Sequence, residues 1–394
     1  HMFYEKQSEN NKNNYKLMLK TVGRLSRPFS ESKCPYLAYR AHENIFCKYL
    51  KAENLARADC SADAKKERTG IGLKTWMGND DQKVAEFGKL KKYYANLQGI
   101  ELVKQIAQYR NERIRVTKKM NGIDEMVYHV VRRIPGVMQI LECVFEPIDI
   151  DKIEVIKNRG NYNNTYFTDG KHTYHFSISK NTLYMIFDDL ELLDEINVEI
   201  VDDPYRLLMD LTNGSKTKEQ GIWAGDYDID FGKTIKEQKE QLCLPLYTVN
   251  KNGEKYVALK SGLNQWNASG RKRNPDEIYI PYQKKDRDRK IDFFPPRDTP
   301  FVLHLPDGTD ISAKVCQVAD KNNPAVGKSI MSNPNKVLGK WLLREVFELA
   351  EGTVVTYEML EKFGIDSVIF TKNDELDYSI EFSELGTYED FYEE

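Results

Sequence analysis

Near residue 126 the hydrophobic period of the chain changes, and that change restricts the architectures open to it more than any other feature. Before it, apolar residues recur at helical spacing. Leu37, Ala41, Ile45 and Tyr49 fall four apart in LAYRAHENIFCKYLKA (37–52), Leu17–Leu25 reads as a shorter helix, and Asp80–Tyr94 and Ile100–Thr117 read as two more. Asp80 or Asp81 is the natural N-cap of the third. Gly70–Trp76 is the one early strand. After residue 126 come short β-rich segments broken by Gly, Asn and Pro: 126–134, 136–145, 152–157, 163–179 and 182–188, with Asp169-Gly170 as a hairpin signal. A polar stretch follows, and from Leu244 a second run of short strands begins: PLYTV, KYVALK, EIYIP, FVLHL, DISAKVCQV, TVVTYEML, DSVIFTK and YSIEF. One helix, Asn335–Leu349, interrupts that run.

The pattern predicts a multidomain α+β chain. An N-terminal α/β unit spans 3–240, α-rich to about residue 120 and β-rich over 126–200, with a linker at about 201–243. An all-β barrel with a short helix spans 244–385, and 386–394 is an acidic tail. Length permits this, since 394 residues suffice for two or three domains. No run of eighteen apolar residues occurs, so no membrane span is expected and a cytoplasmic location is. The six cysteines are scattered, with no CxxC and no Cys/His pair at zinc spacing, as in a protein with reduced thiols.

The formal net charge of -3 does not point to nucleic acid, but its distribution does. Lys104–Lys119 and Arg271–Lys290 are cationic, whereas Asp374–Glu394 is acidic. The cations of the first stretch, among them Arg110, Arg113 and Arg115, fit a DNA-facing helix and an ordinary solvated face equally well. The second stretch is more distinctive. SGLNQWNASGRKRNPDEIYIP (261–281) combines glycines, amide side chains, one large aromatic and three consecutive cations. Asn and Gln pair bidentately with adenine, Arg pairs with guanine, and Ser or backbone amides hold phosphates. A second such loop, KSIMSNPNK (328–336), precedes a helix whose free N-terminal amides favour an anion.

Three segments in order, 261–281, FFPPRDTPFVLHLPDG (293–308) and GKSIMSNPNKVLGKWLLRE (327–345), resemble the DNA-recognition domain of the NgoFVII family of restriction endonucleases. That domain is similar to the effector-binding half of EcoRII, to the C-terminal domain of BfiI and to the plant B-three-type pseudobarrel. The resemblance implies a seven-stranded open barrel that grips the major groove of double-stranded DNA with two arms. The N-arm would carry Ser261, Asn264, Trp266, Asn267, Ser269, Arg271, Lys272, Arg273 and Asn274. The C-arm would carry Lys328, Ser329, Ser332, Asn333, Asn335 and Lys336. It also implies a nuclease module and a cognate DNA methyltransferase.

Relatives of this domain carry one of two nuclease chemistries. A PD-(D/E)XK site needs an acid before one strand and an acid-x-Lys on the next, with Mg2+ held by the acids and the lysine near the attacking water. Asp63 precedes the strand Gly70–Trp76 and Lys74 occupies the lysine position. Gly72 stands where the second acid is expected, so a migrated acid is required: Glu43 on the preceding helix, which would share the metal with Asp63, or Gln82 or Glu86 on the following one. A phospholipase-D-like site needs HxK, which His175 and Lys180 do not form, although they remain a secondary pair. The expectation is a type II-like endonuclease, favouring the PD-(D/E)XK type. Double-strand cleavage would then require a homodimer or sequential nicking. The alternative is a non-catalytic DNA-binding or modified-base-sensing module.

Overall fold

The structure is a computed structural model that describes residues 2–55, 61–78, 81–212 and 238–393. In the N-terminal part, α1 (Glu9–Arg24) starts at Ser8, whose hydroxyl accepts the Asn11 N–H, and α2 (Tyr39–Leu50) follows. The strands β1 (Glu53–Asn54), β2 (Ala64–Lys66) and β3 (Thr69–Trp76) come next. Then β4 (Gln82–Glu86), α3 (Lys91–Tyr94) and the long α4 (Gly99–Asn121) lead to β5 (Glu125–Ile134) and β6 (Val137–Val144). The antiparallel strands β7 (Glu154–Asn161), β8 (Asn164–Thr168), β9 (Thr173–Ser177) and β10 (Thr182–Ile186) precede β11 (Glu191–Asn197) and α5 (Tyr205–Thr212).

Two sheets result. One has the order β1-β2-β3-β5-β6-β11, antiparallel except for the parallel pair β3/β5, which α4 connects. The other has the order β4-β10-β9-β8-β7. The helical stripes of α1 and α2 bury Tyr15, Leu19, Ile45, Phe46 and Leu50 against one face of the first sheet. The apolar stripe of α4 (Leu102, Val103, Ile106, Ala107) packs between its other face and the second sheet, meeting Phe167, Phe176 and Leu183. Gly122, at φ +63, ends α4 as a left-handed cap.

In the C-terminal part, β12 (Gln241–Pro245), β13 (Thr248–Val249), β14 (Lys255–Tyr256) and β15 (Ile280–Pro281) precede α6 (Lys284–Arg289). After them come β16 (Phe301–His304), β17 (Asp310–Asp320) and β18 (Asn323–Ser332). A helical segment starts as α7 (Val337–Gly339) and widens to π-type turns over Lys340–Val346, before α8 (Tyr357–Phe363), β19 (Ser367–Asp374), β20 (Asp377–Ser383) and α9 (Thr387–Tyr392). Seven strands form one sheet in the order β12-β19-β20-β16-β17-β18-β15, whose two edge strands approach each other, so the sheet is a nearly closed barrel. The chain is therefore α+β with a barrel-like C-terminal region.

Several elements differ from the sequence pattern. Asp80–Tyr94 is not one helix: 82–86 is β4, an edge strand that β10 recruits from about a hundred residues away. Asp80 lies outside the described residues, as does most of the 201–243 stretch, which includes α5 and the start of β12. The TVVTYEML segment is not a strand: its last four residues start α8, whose N-cap Thr356 accepts the Met359 N–H through its hydroxyl. The helix expected at Asn335 starts at Val337. The acidic tail folds as α9, since Tyr388 and Tyr392 pack on Cys243 and Ile369. Among the described residues no helix is long and apolar enough to cross a membrane.

The two parts share packing. Val116 and Met120 of α4 are buried in the barrel's core cluster. The Arg115 guanidinium donates to the Val346 carbonyl at 2.8 Å, Lys92 Nζ lies 2.9 Å from Glu361 Oε1, and the Tyr93 hydroxyl donates to the same carboxylate.

Candidate functional site

An open cleft of about 830 Å³ lies over the end of β3, walled by Glu43, Asp63, Lys74, Glu86 and Arg113, and closed on one side by Glu384 and Leu385 from the barrel. Three elements deliver its chemistry. Glu43 comes from the second turn of α2, Asp63 from the turn before β2, and Lys74 from β3, which pairs antiparallel with β2. The Leu73 N–H donates to Asp63 Oδ2 at 2.7 Å and fixes that carboxylate at the strand. Burial pushes the Asp63 carboxyl above the ordinary range, against the pull of Lys74 and the Leu73 N–H. Burial and the neighbouring Asp63 charge raise Glu43, although Arg40 donates to it at 2.8 Å. Burial lowers Lys74, partly offset by Asp63.

Two carboxyls that resist ionisation and repel each other fit a divalent cation, which would stabilise both charged forms. Asp63 and Glu43 supply hard oxygen donors of the kind Mg2+ takes.

Arg110 and Arg113 form the back of this site and were not singled out for it by sequence. They are 5% and 8% exposed, because α4 turns them inward with Ile106, Ala107 and Ile114. Arg110 lies over the Phe145 ring at 4.8 Å, donates to the Tyr128 hydroxyl at 3.0 Å and pulls the Asp63 carboxyl toward ionisation. The signal was present: cations at 110 and 113 share the apolar stripe of the helix rather than its polar face.

Gly72 pairs with Tyr128 of β5, and a Cβ at Gly72 would come within 2.9 Å of the Tyr128 ring. The space for an acid at that position is filled, and Glu43 and Glu86 are acids that share the cleft with Asp63. Glu86 is not on a helix. It sits in β4, half of its side chain in solvent, pairs with Lys83 at 2.5 Å and lines the same cavity as Asp63 and Lys74. His175 lies between the rings of Tyr166 and Tyr184, at 4.7 and 4.6 Å, with Nδ1 2.5 Å from Asp81. Lys180 is exposed in the turn after β9, and its charge, after burial, Asp81 and Arg159, bears on His175.

The two basic loops of the barrel meet at one buried carboxylate, Glu277, which is fully buried. Arg271 and Arg273 donate to its Oε1 at 2.7 and 2.9 Å, the Tyr279 hydroxyl at 2.9 Å, and Asn335 donates to Oε2 at 3.1 Å. In the sequence this acid stands four residues after the RKR run, at the start of the EIYIP segment. Arg344 clamps the turn beneath, donating to Asp276 and to the Pro275 carbonyl.

The remaining arm residues divide into two sets. Ser261, Asn267, Ser269, Lys272, Lys328, Asn333 and Lys336 are exposed, and Trp266 and Asn274 are half-buried. Three others face inward. Asn264 is fully buried, donates to the Ala258 and Val355 carbonyls and accepts the Val355 N–H, so it stitches the loop to the chain before α8. Ser332 accepts the Leu338 N–H at 2.9 Å and donates to the Pro334 carbonyl. Ser329 sits in β18 and donates to Gln317. The C-arm loop is thereby shortened to 333–336, since 328–332 belong to β18.

Residues 235–374, less than half of the chain, match the family of the NgoFVII C-terminal B3-like DNA-binding domain. The comparison with curated proteins finds no match. The match covers the barrel from β12 to β19 and both basic loops, with β20 beyond its end, and it supports DNA as the barrel's partner.

Proposed function

We propose that the chain is a sequence-specific, metal-dependent endodeoxyribonuclease of the type II restriction class. The barrel reads double-stranded DNA through the exposed side chains of 261–274 and 333–336, and the cleft at Glu43, Asp63 and Lys74 hydrolyses the phosphodiester. The carrying observation is the convergence of those three residues from α2, the turn before β2, and β3 onto one cleft whose rim includes the barrel. The order of α2, β1, β2, β3, α4 and β5, with β5 parallel to β3, supports the PD-(D/E)XK type.

Asp63 and Glu43 would hold Mg2+, which when bound supplies charge neutralisation at the phosphate and a more acidic water. Lys74, its ammonium weakened by burial, sits where it can orient the attacking water or relay its proton. Arg110 holds positive charge behind the carboxylates without occupying the cleft mouth. Cleavage of a plasmid with Mg2+, with EDTA, and by Asp63→Ala tests the reading. Activity lost in EDTA and reduced by about 100-fold or more in the variant, with DNA binding retained, is expected. Full cleavage by Asp63→Ala would refute the assignment.

A second reading rests on Gly72. Without an acid on β3 the barrel would serve a binding module that senses DNA without cutting it. Tight binding with no cleavage under any metal condition would favour that reading. The cognate methyltransferase and the dimer belong to the first reading alone.

A further inference from the structure

A second cluster of metal-ligand chemistry lies away from the cleft, where the chain leaves one sheet for the other. His172 directly precedes the strand β9, and Asp188 and Asp189 lie in the connection from β10 to β11. One ligand atom from each lies within 4.8 Å of the others. The acids are exposed, but the histidine is not: His172 is 5% exposed, and its Nδ1 is buried without a hydrogen-bond partner among the described residues. That nitrogen points at the cluster, 3.5 Å from Asp189 Oδ2. A buried imidazole nitrogen with no partner is costly in a folded protein unless something fills its lone pair.

Three further groups are arranged around it. Nε2 of the same ring faces Glu146 Oε1 at 3.8 Å, the side on which a carboxylate orients a ring that binds metal through Nδ1. The Asp169 carboxylate takes the His172 backbone N–H at 2.8 Å and holds the turn. Burial, and after it the Asp189 charge, raise the Cys143 thiol of β6, so Asp189 lies beside the six-stranded sheet.

We infer that His172, Asp188 and Asp189 form a binding site for a zinc-type divalent transition metal that staples the five-stranded sheet to the six-stranded one. An imidazole nitrogen with two carboxylates suits Zn2+, Co2+ or Ni2+ and not Mg2+, which prefers oxygen donors and its own waters. Ligand distances of about 2.0–2.2 Å require the exposed acids to close in by a small side-chain movement. The ion would cross-link the start of β9 to the β10–β11 connection, which leads into β11 of the six-stranded sheet. Its role is structural and independent of the cleft, whose walls include none of the three ligands.

The test uses the full chain carrying Asp63→Ala and Glu43→Ala, so that both metal ligands proposed for the cleft are gone. After EDTA treatment and dialysis, titration with Zn2+ alone should show one tight equivalent and a rise in the thermal midpoint, with Mg2+ producing neither. Co2+ in place of Zn2+ should give a visible absorption band of a nitrogen- and oxygen-ligated ion. Asp189→Asn and Asp188→Asn change exposed residues and leave the fold intact. Each should weaken Zn2+ binding by about 100-fold or more, because even outer-partner changes cost about 10–100-fold. His172→Asn should abolish the Co2+ band. Absence of a tight Zn2+ equivalent, or Zn2+ binding unchanged in both aspartate variants, would overturn the site.

Discussion

Asp63 carries opposing demands. Its carboxylate is held by the Leu73 N–H, yet burial raises its proton affinity in the folded chain above the unfolded value. Ionising it therefore costs stability: the cost is absent below the unfolded carboxylate pKa of about 3.9 and complete above the folded value. Asp63→Asn keeps an acceptor for the Leu73 N–H and removes the charge. It should melt above the parent at pH 7 to 8 in EDTA, with the gap closing toward pH 3 to 4, and should lose cleavage at every pH. A variant that melts lower throughout would mean that the ionised carboxylate stabilises the fold. The arm residues can be sorted the same way. Asn333 is exposed, so Asn333→Ala should weaken specific DNA binding by roughly 1–3 kcal/mol without moving the melting point. Arg273 is mostly buried against Glu277 and also donates to the Ala268 carbonyl, so Arg273→Ala should lower both affinity and melting temperature. Measured affinity and thermal melts on the two variants distinguish a base contact from a brace. Asn264 and Ser332 are braces as well, although short polar side chains in a glycine-rich loop look the same in sequence whether they meet DNA or the backbone.

Elements acquire function here by being tied together. Glu277 joins the loop before β15 to the loop after β18, about sixty residues apart. Glu277→Ala should free both loops at once: amide exchange in 268–274 and in 333–336 should rise together, and specific DNA affinity should fall at least tenfold. Folding stability should fall by roughly 1–3 kcal/mol, less than the cost of breaking a wholly buried pair, because Arg271 is half in solvent. Exchange rising in one loop alone would show that the carboxylate does not couple them. The helical segment at 337–346 depends on a similar close approach. A Cβ at Gly339 would fall 1.8 Å from the Asp276 carbonyl oxygen, so only glycine lets that segment reach the turn that Arg344 clamps. The β4 segment shows the opposite dependence. Its sequence favours a helix, and it is a strand because β10 offers an edge.

At the scale of the whole molecule, α4 belongs to both parts. Its middle fills the space between the two N-terminal sheets, and its end places Val116 and Met120 in the barrel core. Val116→Asp would bury an unpaired charge at that junction. It should lower the thermal midpoint of the barrel and of the N-terminal part together. Near-UV circular dichroism of the full chain reads this, and a shift confined to one part would mean that the two fold independently. The same junction brings Glu384 and Leu385 of the barrel to the rim of the cleft that contains Asp63.

The period of the apolar residues was enough to find α1, α2, α4, most of the strands and the β-rich character of the C-terminal part, because periodicity reports which face of a local element avoids water. The residue types were enough to nominate Asp63, Lys74 and Glu43, since acid, acid and lysine near one strand carry their chemistry with them. Tertiary structure decided the rest. Tyr128 fills the place of an acid at Gly72, Glu277 binds two distant loops, and His172 meets Asp188 and Asp189 across a sheet crossover. Each is a contact between residues far apart in the chain. Such contacts follow from strand pairing and close packing, which the local pattern of a sequence does not record.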